Sequence, residues 1–417
     1  MRKQCVIYPP IEELRPTKAQ AFLRALVYLL RNATLCSLVT TVFTAPFFYQ
    51  VYLPLPVIRH LPPVLLFLVT FQFLCHALPW FTFNAFYLLL DSVHPEFGFA
   101  PGWRDKYPLL RELGDYFAQF KLTRRPMQIP SQSLILRTIG KVFVEQYMVT
   151  PLLGYVFFNY VCPVAPEDMM PNPHQPLIGL SDKHHSTWFV FLSLIPHFVL
   201  ANLLNEVGFF LVHGFVHYNS WLYRTFHKQH HEYTGTISIA AEYASVTEEV
   251  FANTLPSVGY FFYFFFAYTN AQVIARRGAV GGDASQLWLE SARAWPLAMT
   301  WMWARLWETY ESHSGYCFSD TTLGKLGLLH GHRARFHDFH HTHNLSNYGS
   351  GIIMDALCDT MDPYLKHTFA RRIKDSVDKH SAEKSKRSTE MIFPMVLREH
   401  SPTKKQQQEQ KESAKKK

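Results

Sequence analysis

Four stretches of this chain are apolar for long enough to cross a lipid bilayer, and they limit its possible folds more than any other feature. Ala33–Leu53 carries no charged residue, and about 20 residues of helix cross the hydrocarbon core. Val64–Leu90 follows, interrupted by His76 and by Pro79-Trp80; Lys141–Cys162 is the third block, and Trp188–Val212 is the fourth, running directly into His213. In hydrocarbon a lone helix satisfies its own backbone hydrogen bonds, which a lone strand cannot do. The expected fold is therefore an all-α integral membrane protein with about four transmembrane helices. Two weaker blocks, Phe251–Tyr268 and Leu287–Trp307, are joined by a loop holding Arg276 and Arg277. They are expected to form a re-entrant or interfacial helical hairpin, with two full spans as the alternative. Either arrangement returns the chain to the side it left.

Composition agrees with a bilayer. Aromatic residues make up 16% of the chain, with 35 Phe, 21 Tyr and 9 Trp, and Trp and Tyr anchor spans at the membrane interface. The formal net charge is +8. The basic residues flank apolar blocks and crowd the tail, which points to anionic lipid headgroups rather than nucleic acid. Arg2, Lys3, Arg15, Lys18 and Arg24 precede the first block, and Arg104, Lys106, Arg111, Lys121, Arg124 and Arg125 follow the second. The positive-inside rule then puts both termini and the 91–140 connection in the cytosol and 163–186 in the lumen. The six cysteines are scattered without a CxxC pair, so neither a disulfide framework nor a thiolate zinc site is indicated. Three regions are expected: an N-terminal membrane region (1–140), a catalytic domain (141–365), and a charged tail (366–417) containing the run Gln406–Gln410.

More than half of the 22 histidines lie between His213 and His343. His213 and His217 are four apart, so a helix puts both on one face. His227, His230 and His231 form an HxxHH string, and His337, His340 and His341 form a second. His313 stands between them in His-Ser-Gly-Tyr. Neutral imidazole is a good ligand for iron, zinc and copper. One ion needs several ligands converging on a point, and a helix offering His at i and i+3 or i+4 supplies two. Eight clustered histidines, or nine with His313, exceed the need of one ion, so two ions are expected. A lone buried histidine is more often a packed core residue, but that explains three such strings at membrane exits poorly. His343 has the wrong spacing to extend its cluster, and His330 and His332 lie in a Gly-rich loop. Glu206, two turns before His213, is expected to orient a ligating imidazole or to serve as a buried polar partner.

At these residues the chain resembles the fatty acid hydroxylase/sterol desaturase superfamily, whose HxxxH, HxxHH and second HxxHH strings surround a non-haem di-iron centre. Within it the chain is most similar to the C-4 methylsterol oxidases. The strings are Phe226–Glu232, Ala241–Ala244, Glu308–Tyr316, Phe336–His341 and Asn347-Tyr348. The resemblance covers roughly 200–363. It implies His213, His217, His227, His230, His231, His313, His337, His340 and His341 as ligands of two irons. Two positions depart from the pattern: Gly214 replaces a frequent Arg, and Ser245-Val246 replaces a frequent His-Pro.

The reaction implied is dioxygen-dependent oxidation of an unactivated C–H bond on a membrane lipid, with the C-4 methyl group of a sterol intermediate as the expected target. A fatty-acid or sphingolipid hydroxylase, or a sterol desaturase, is the enzymatic alternative. A non-catalytic membrane protein with a structural metal site is the alternative from another class. Electrons must come from outside, because the chain has neither GxGxxG nor HPGG. Cytochrome b5 and its NAD(P)H reductase are the implied donors, and the endoplasmic reticulum membrane is the implied location. A zinc metalloprotease is disfavoured, since no HExxH string occurs.

Overall fold

The structure, a computed structural model, describes residues 18–368 except 53, 63–64, 67, 97, 99, 123–129, 157–158, 161–186, 235–236, 258, 261–293, 320, 327 and 330–331. Among the described residues the chain is helical, and the only strand-like pairing is an isolated bridge between Lys121 and Tyr316. The helices used below are α1 (Lys18–Val39), α2 (Leu78–Ser92), α3 (Pro101–Lys106), α4 (Pro108–Ala118), α5 (Gln132–Val144), α6 (Thr150–Val156), α7 (Thr187–Tyr218), α8 (Ala294–His313), α9 (His332–His343) and α10 (Ile353–Leu357).

Three helices are long and apolar enough to cross a membrane: Leu26–Thr44, Leu68–Ser92 and Thr187–Tyr218. The first begins earlier than the block Ala33–Leu53, because α1 starts at Lys18 and its best apolar window reaches back to Leu26. The second is not broken at Pro79. A π-wound stretch, Leu68–Ala77, leads into α2, where Pro79 sits in the first turn. The wider winding relieves the clash of the proline ring with the preceding turn. The third block is helical as α5 and α6 but is wound as a π-helix at Glu145–Val149, and Lys141 pairs with Glu145 inside it. It is not among the three.

Only 28% of the best apolar window in α1 and in α7 is buried. Leu26, Leu30 and Leu38 on α1, and Leu192, Leu203 and Leu211 on α7, are exposed. Water disfavours such a belt and hydrocarbon accepts it. The inward faces pack together: Ala33 and Cys36 meet Leu194, Phe198 and Ala201 of α7 and Leu297 and Trp301 of α8. A buried hydroxyl chain, Thr40 to Thr300 at 2.8 Å and Thr300 to Thr44 at 2.9 Å, ties α8 to the end of α1.

α7 is a single helix of 32 residues despite Pro196. At 1.5 Å per residue it is about 48 Å long, well beyond the hydrocarbon thickness of about 30 Å. Its surplus carries His213 and His217. The tip of the expected hairpin, 261–293, and the tail from 369 lie outside the described residues. The described part of the hairpin's second arm, from Ala294, lies in α8, which runs unbroken to His313.

Candidate metal centre

The nine histidines implied as ligands come together as two groups. His213, His217, His227, His231 and His340 form one, and His230, His313, His337 and His341 form the other; within each, one ligand atom per residue lies within 4.8 Å of all the rest. The sharing follows from helix geometry. Successive residues differ by about 100° around an α-helix, so in the HxxHH of α9 the first and last histidines point nearly together while the middle one diverges, and the π-wound and 3-10 turns of the first HxxHH give the same split. His227 and His231 enter the first group and send His230 to the second. His337 and His341 enter the second and send His340 to the first. Each string thus contributes to both groups, and α8 adds His313 from its last turn.

Local structure brings the strings there. After α7, Asn219 caps a short turn, accepting from Trp221 N at 3.0 Å and Leu222 N at 3.1 Å. A π-wound segment, Tyr223–His227, and a 3-10 turn, His230–Glu232, then aim the first HxxHH back at α7. α9 ends in a tight loop with Asn344, Ser346 and Asn347 all at positive φ, a conformation that Asn tolerates. The turn lets the Ser346 carbonyl accept from His340 Nδ1 at 2.7 Å and the Tyr348 carbonyl accept from His213 Nδ1 at 2.7 Å.

The same pattern holds for other imidazoles. His313 Nδ1 donates to Thr309 O at 2.9 Å, His341 Nδ1 to Tyr233 O at 3.2 Å, and His227 Nδ1 to the Glu248 carboxylate at 2.6 Å. A proton on Nδ1 leaves Nε2 with a lone pair. These Nε2 atoms face one another: 3.1 Å for His213–His227, 2.9 Å for His227–His231, 3.3 Å for His230–His313, 2.8 Å for His313–His337 and 3.0 Å for His337–His341. His217 Nε2 and His340 Nε2 are buried with no hydrogen-bond partner. Burial, and then the neighbouring imidazoles, hold His227, His230, His337 and His341 well below the ordinary imidazole range; burial lowers His313 to about 4. Two nests of neutral, converging nitrogen donors fit divalent transition-metal ions.

Glu206 does not touch a ligating imidazole, contrary to the first expectation for it. Its carboxylate accepts from Gly351 N at 2.8 Å, Ser350 Oγ at 2.9 Å and Ile353 N at 3.2 Å, holding the loop that leads into α10. It is the buried polar partner of that loop. A Cβ on Gly351 would stand 2.8 Å from Glu206 Oε2, so a larger residue would have to displace the carboxylate from the loop it holds. Asp355 completes the loop, accepting from Tyr348 N at 2.9 Å and Gly349 N at 2.7 Å.

The carboxylate that does orient a histidine is Glu248, and sequence reasoning missed it. Ser245-Val-Thr-Glu248 reads as a capping box, and Ser245 Oγ does accept from Glu248 N at 3.1 Å. That signal marks a helix start, while the contact with His227 spans 21 residues. His343 stays outside both groups, stacked on Phe339 at 4.1 Å. His330 and the His332 side chain are outside the described residues. His76 pairs with Glu242 at 3.2 Å, and His197 bonds Tyr260 at 2.7 Å.

Comparison with known proteins covers the same part of the chain. The family model described as fatty acid hydroxylase matches residues 198–360. A very-long-chain aldehyde decarbonylase of rice is 31% identical over 262 residues, 62% of this chain and 79% of that protein. A putative methylsterol monooxygenase of Dictyostelium discoideum is 25% identical over 240 residues, 57% of this chain and 71% of that protein. Human cholesterol 25-hydroxylase is 28% identical over 205 residues, 48% of this chain and 61% of that protein. No solved structure matches. The matched region begins inside α7 and ends just beyond α10, enclosing every histidine of the two groups, and the chain belongs to the fatty acid hydroxylase family.

Proposed function

We propose that the chain is a membrane-bound oxidoreductase that uses dioxygen to hydroxylate an unactivated C–H bond of a membrane lipid, with two irons held by the nine histidines. The observation that carries this reading is the pair of converging imidazole groups, five in one and four in the other. Bound iron would supply the redox change and dioxygen activation that side chains cannot, and zinc lacks that redox change. The chain's own residues position the ligands. Tyr348, Ser346, Thr309 and Tyr233 carbonyls and the Glu248 carboxylate fix the imidazole orientations. His340, at 0% exposure, and all four histidines of the second group are buried, while His217 and His231 are half-buried.

The substrate we propose is the C-4 methyl group of a sterol intermediate, with electrons delivered by cytochrome b5 and its NAD(P)H reductase at the endoplasmic reticulum. The strings Ala241–Ala244 and His313–Tyr316 and the methylsterol monooxygenase relative support it. A second reading, oxidation elsewhere on a sterol or on a long aliphatic chain, draws on the cholesterol hydroxylase and the aldehyde decarbonylase relatives. Sterol profiling of a deletion strain separates them: accumulated 4-methyl sterols are expected, and an unchanged sterol profile leaves the second reading. Metal analysis tests the centre itself. About two irons per chain are expected after anaerobic purification, falling in His230→Ala and His340→Ala together with activity. Full activity in either variant would overturn the site.

A further inference from the structure

The proposed reaction consumes protons in a buried place. One oxygen atom enters the C–H bond and the other leaves as water, using two electrons from the external one-electron donor and two protons per turnover. A cavity of about 40 Å³ lies against His213, His227 and His230, with Asn253, Arg305 and Ser312 among its polar walls. That volume holds a few waters and no lipid chain.

Behind Asn253 stands a set of ionisable side chains that the histidine groups do not use. Asn253 Nδ2 donates to Glu249 Oε2 at 3.1 Å, and Glu249 Oε1 is buried with no hydrogen-bond partner. Glu242 is 8% exposed; it accepts from Gln146 Nε2 at 3.2 Å and from the Tyr310 hydroxyl, and lies 3.2 Å from His76 Nε2. Glu145 pairs with Lys141, and these two side chains keep 18% exposure each. On the cavity wall, Glu248 is 7% exposed and its Oε2 has no hydrogen-bond partner. Burying several carboxylates costs several kcal/mol each unless they are fully paired, and here oxygens of Glu145, Glu248 and Glu249 are not. Packing alone gives no reason to gather Glu145 against the carboxylates of the 242–249 stretch.

We propose that Glu249 and Asn253 form the inner end of a proton-delivery path, which runs from Lys141 and Glu145 at the partly exposed edge, past Glu242 and His76, to water in the cavity beside the histidines. The path rests on the dioxygen-dependent reading of the site. Glu249 touches the cavity only through Asn253, which lines it, so it is a positioning residue for the proton. The charged groups around it are Glu242, Glu145, Lys141, Glu248 and His76. Burial, and then the Glu242 and Glu145 charges, push its carboxyl up to about 7. Both forms are then populated near neutrality, as a relay requires.

The test uses the full-length protein in phospholipid nanodiscs, with Glu249→Gln and Glu249→Asp beside the wild type. Infrared difference spectra without added metal read the carboxyl directly. A protonated-carboxyl band that titrates near neutral pH is expected in the wild type and is missing in Glu249→Gln. Iron-loaded, chemically reduced samples are then mixed with dioxygen, and proton uptake is followed with an indicator dye. Uptake is expected to slow about 100-fold in Glu249→Gln, with iron content unchanged, and to recover in Glu249→Asp with a displaced pH profile. Unchanged uptake in Glu249→Gln, or loss of iron from it, overturns the path while leaving the centre standing. A wild type that binds no iron, or whose reduced form does not react with dioxygen, overturns the dioxygen reading and the path with it.

Discussion

Glu248 shows at the single-residue scale how a side chain outside the histidine strings governs them. It is the one carboxylate on a histidine of the two groups among the described contacts, 2.6 Å from His227 Nδ1. An anionic acceptor fixes the tautomer and makes Nε2 a better donor, and losing such a partner costs about 10–100-fold in metal affinity or activity. Glu248→Ala is expected to show that loss in iron titration, and Glu248→Gln, which keeps an acceptor oxygen, a smaller one. Acid acts on the imidazoles together. His227, His230, His313, His337 and His341 are held below the ordinary imidazole value by burial first. Below the unfolded value of about 6.5 the unfolded chain therefore binds more protons than the folded one, and stability falls as pH falls. For His313 the window closes at about 4. Unfolding of the metal-free protein in detergent, followed from pH 8 downward, checks this; a midpoint that stays level between about pH 6.5 and 4 would contradict it.

Elements couple to the centre through a clamp after His313. Lys121 Nζ donates to Asp91 at 2.7 Å and to the Ser314 carbonyl at 2.7 Å, and the Tyr316 hydroxyl donates to Asp91 at 3.1 Å. Backbone bonds from Leu122 N to Gly315 O and from Cys317 N to Phe120 O, both 2.8 Å, add a short ladder. The end of α2 and the segment after α4 thereby hold the residues that follow His313. Side-chain exposure is 6% for Lys121 and 0% for Asp91. Removing one partner of a buried pair leaves the other charge uncompensated, at about 3–5 kcal/mol. Asp91→Ala is expected to lower the unfolding free energy by about 3–5 kcal/mol and to weaken iron retention. A variant with wild-type stability and iron content would show that the clamp is dispensable.

At the scale of the whole molecule, α7 links bilayer and centre. Its apolar length and the exposed leucines along it suit hydrocarbon, and its surplus length carries two histidines out of that layer. Which side receives them depends on charge. Lys and Arg flank the first block and fill the 91–140 connection, which favours the cytosol. With the 141–162 block crossing as a fourth span beside the three long apolar helices, tags at either terminus or near Arg124 are expected to be cytosolic, and a glycosylation acceptor near Pro171 is expected to be modified. Modification of an acceptor near Arg124 would invert this orientation.

The histidine strings, the long apolar helices and the family were legible in the sequence, because spacing along a helix and the length of an apolar run are local properties. The helix starts were less so: α1 begins well before its most apolar stretch, and Pro79 ends no helix because the preceding turns widen. What only the tertiary structure decided is how the nine histidines divide. A step of about 100° in the α-helix separates His340 from His341, and one of about 120° in the 3-10 turn separates His230 from His231, but the partner each one meets depends on where α7, α8 and α9 cross. The same holds for Glu206 and Glu248. Both are buried acids close in sequence to histidines or capping residues, and which of them reaches an imidazole is set by contacts 21 and 145 residues apart in the chain, beyond the reach of any local pattern.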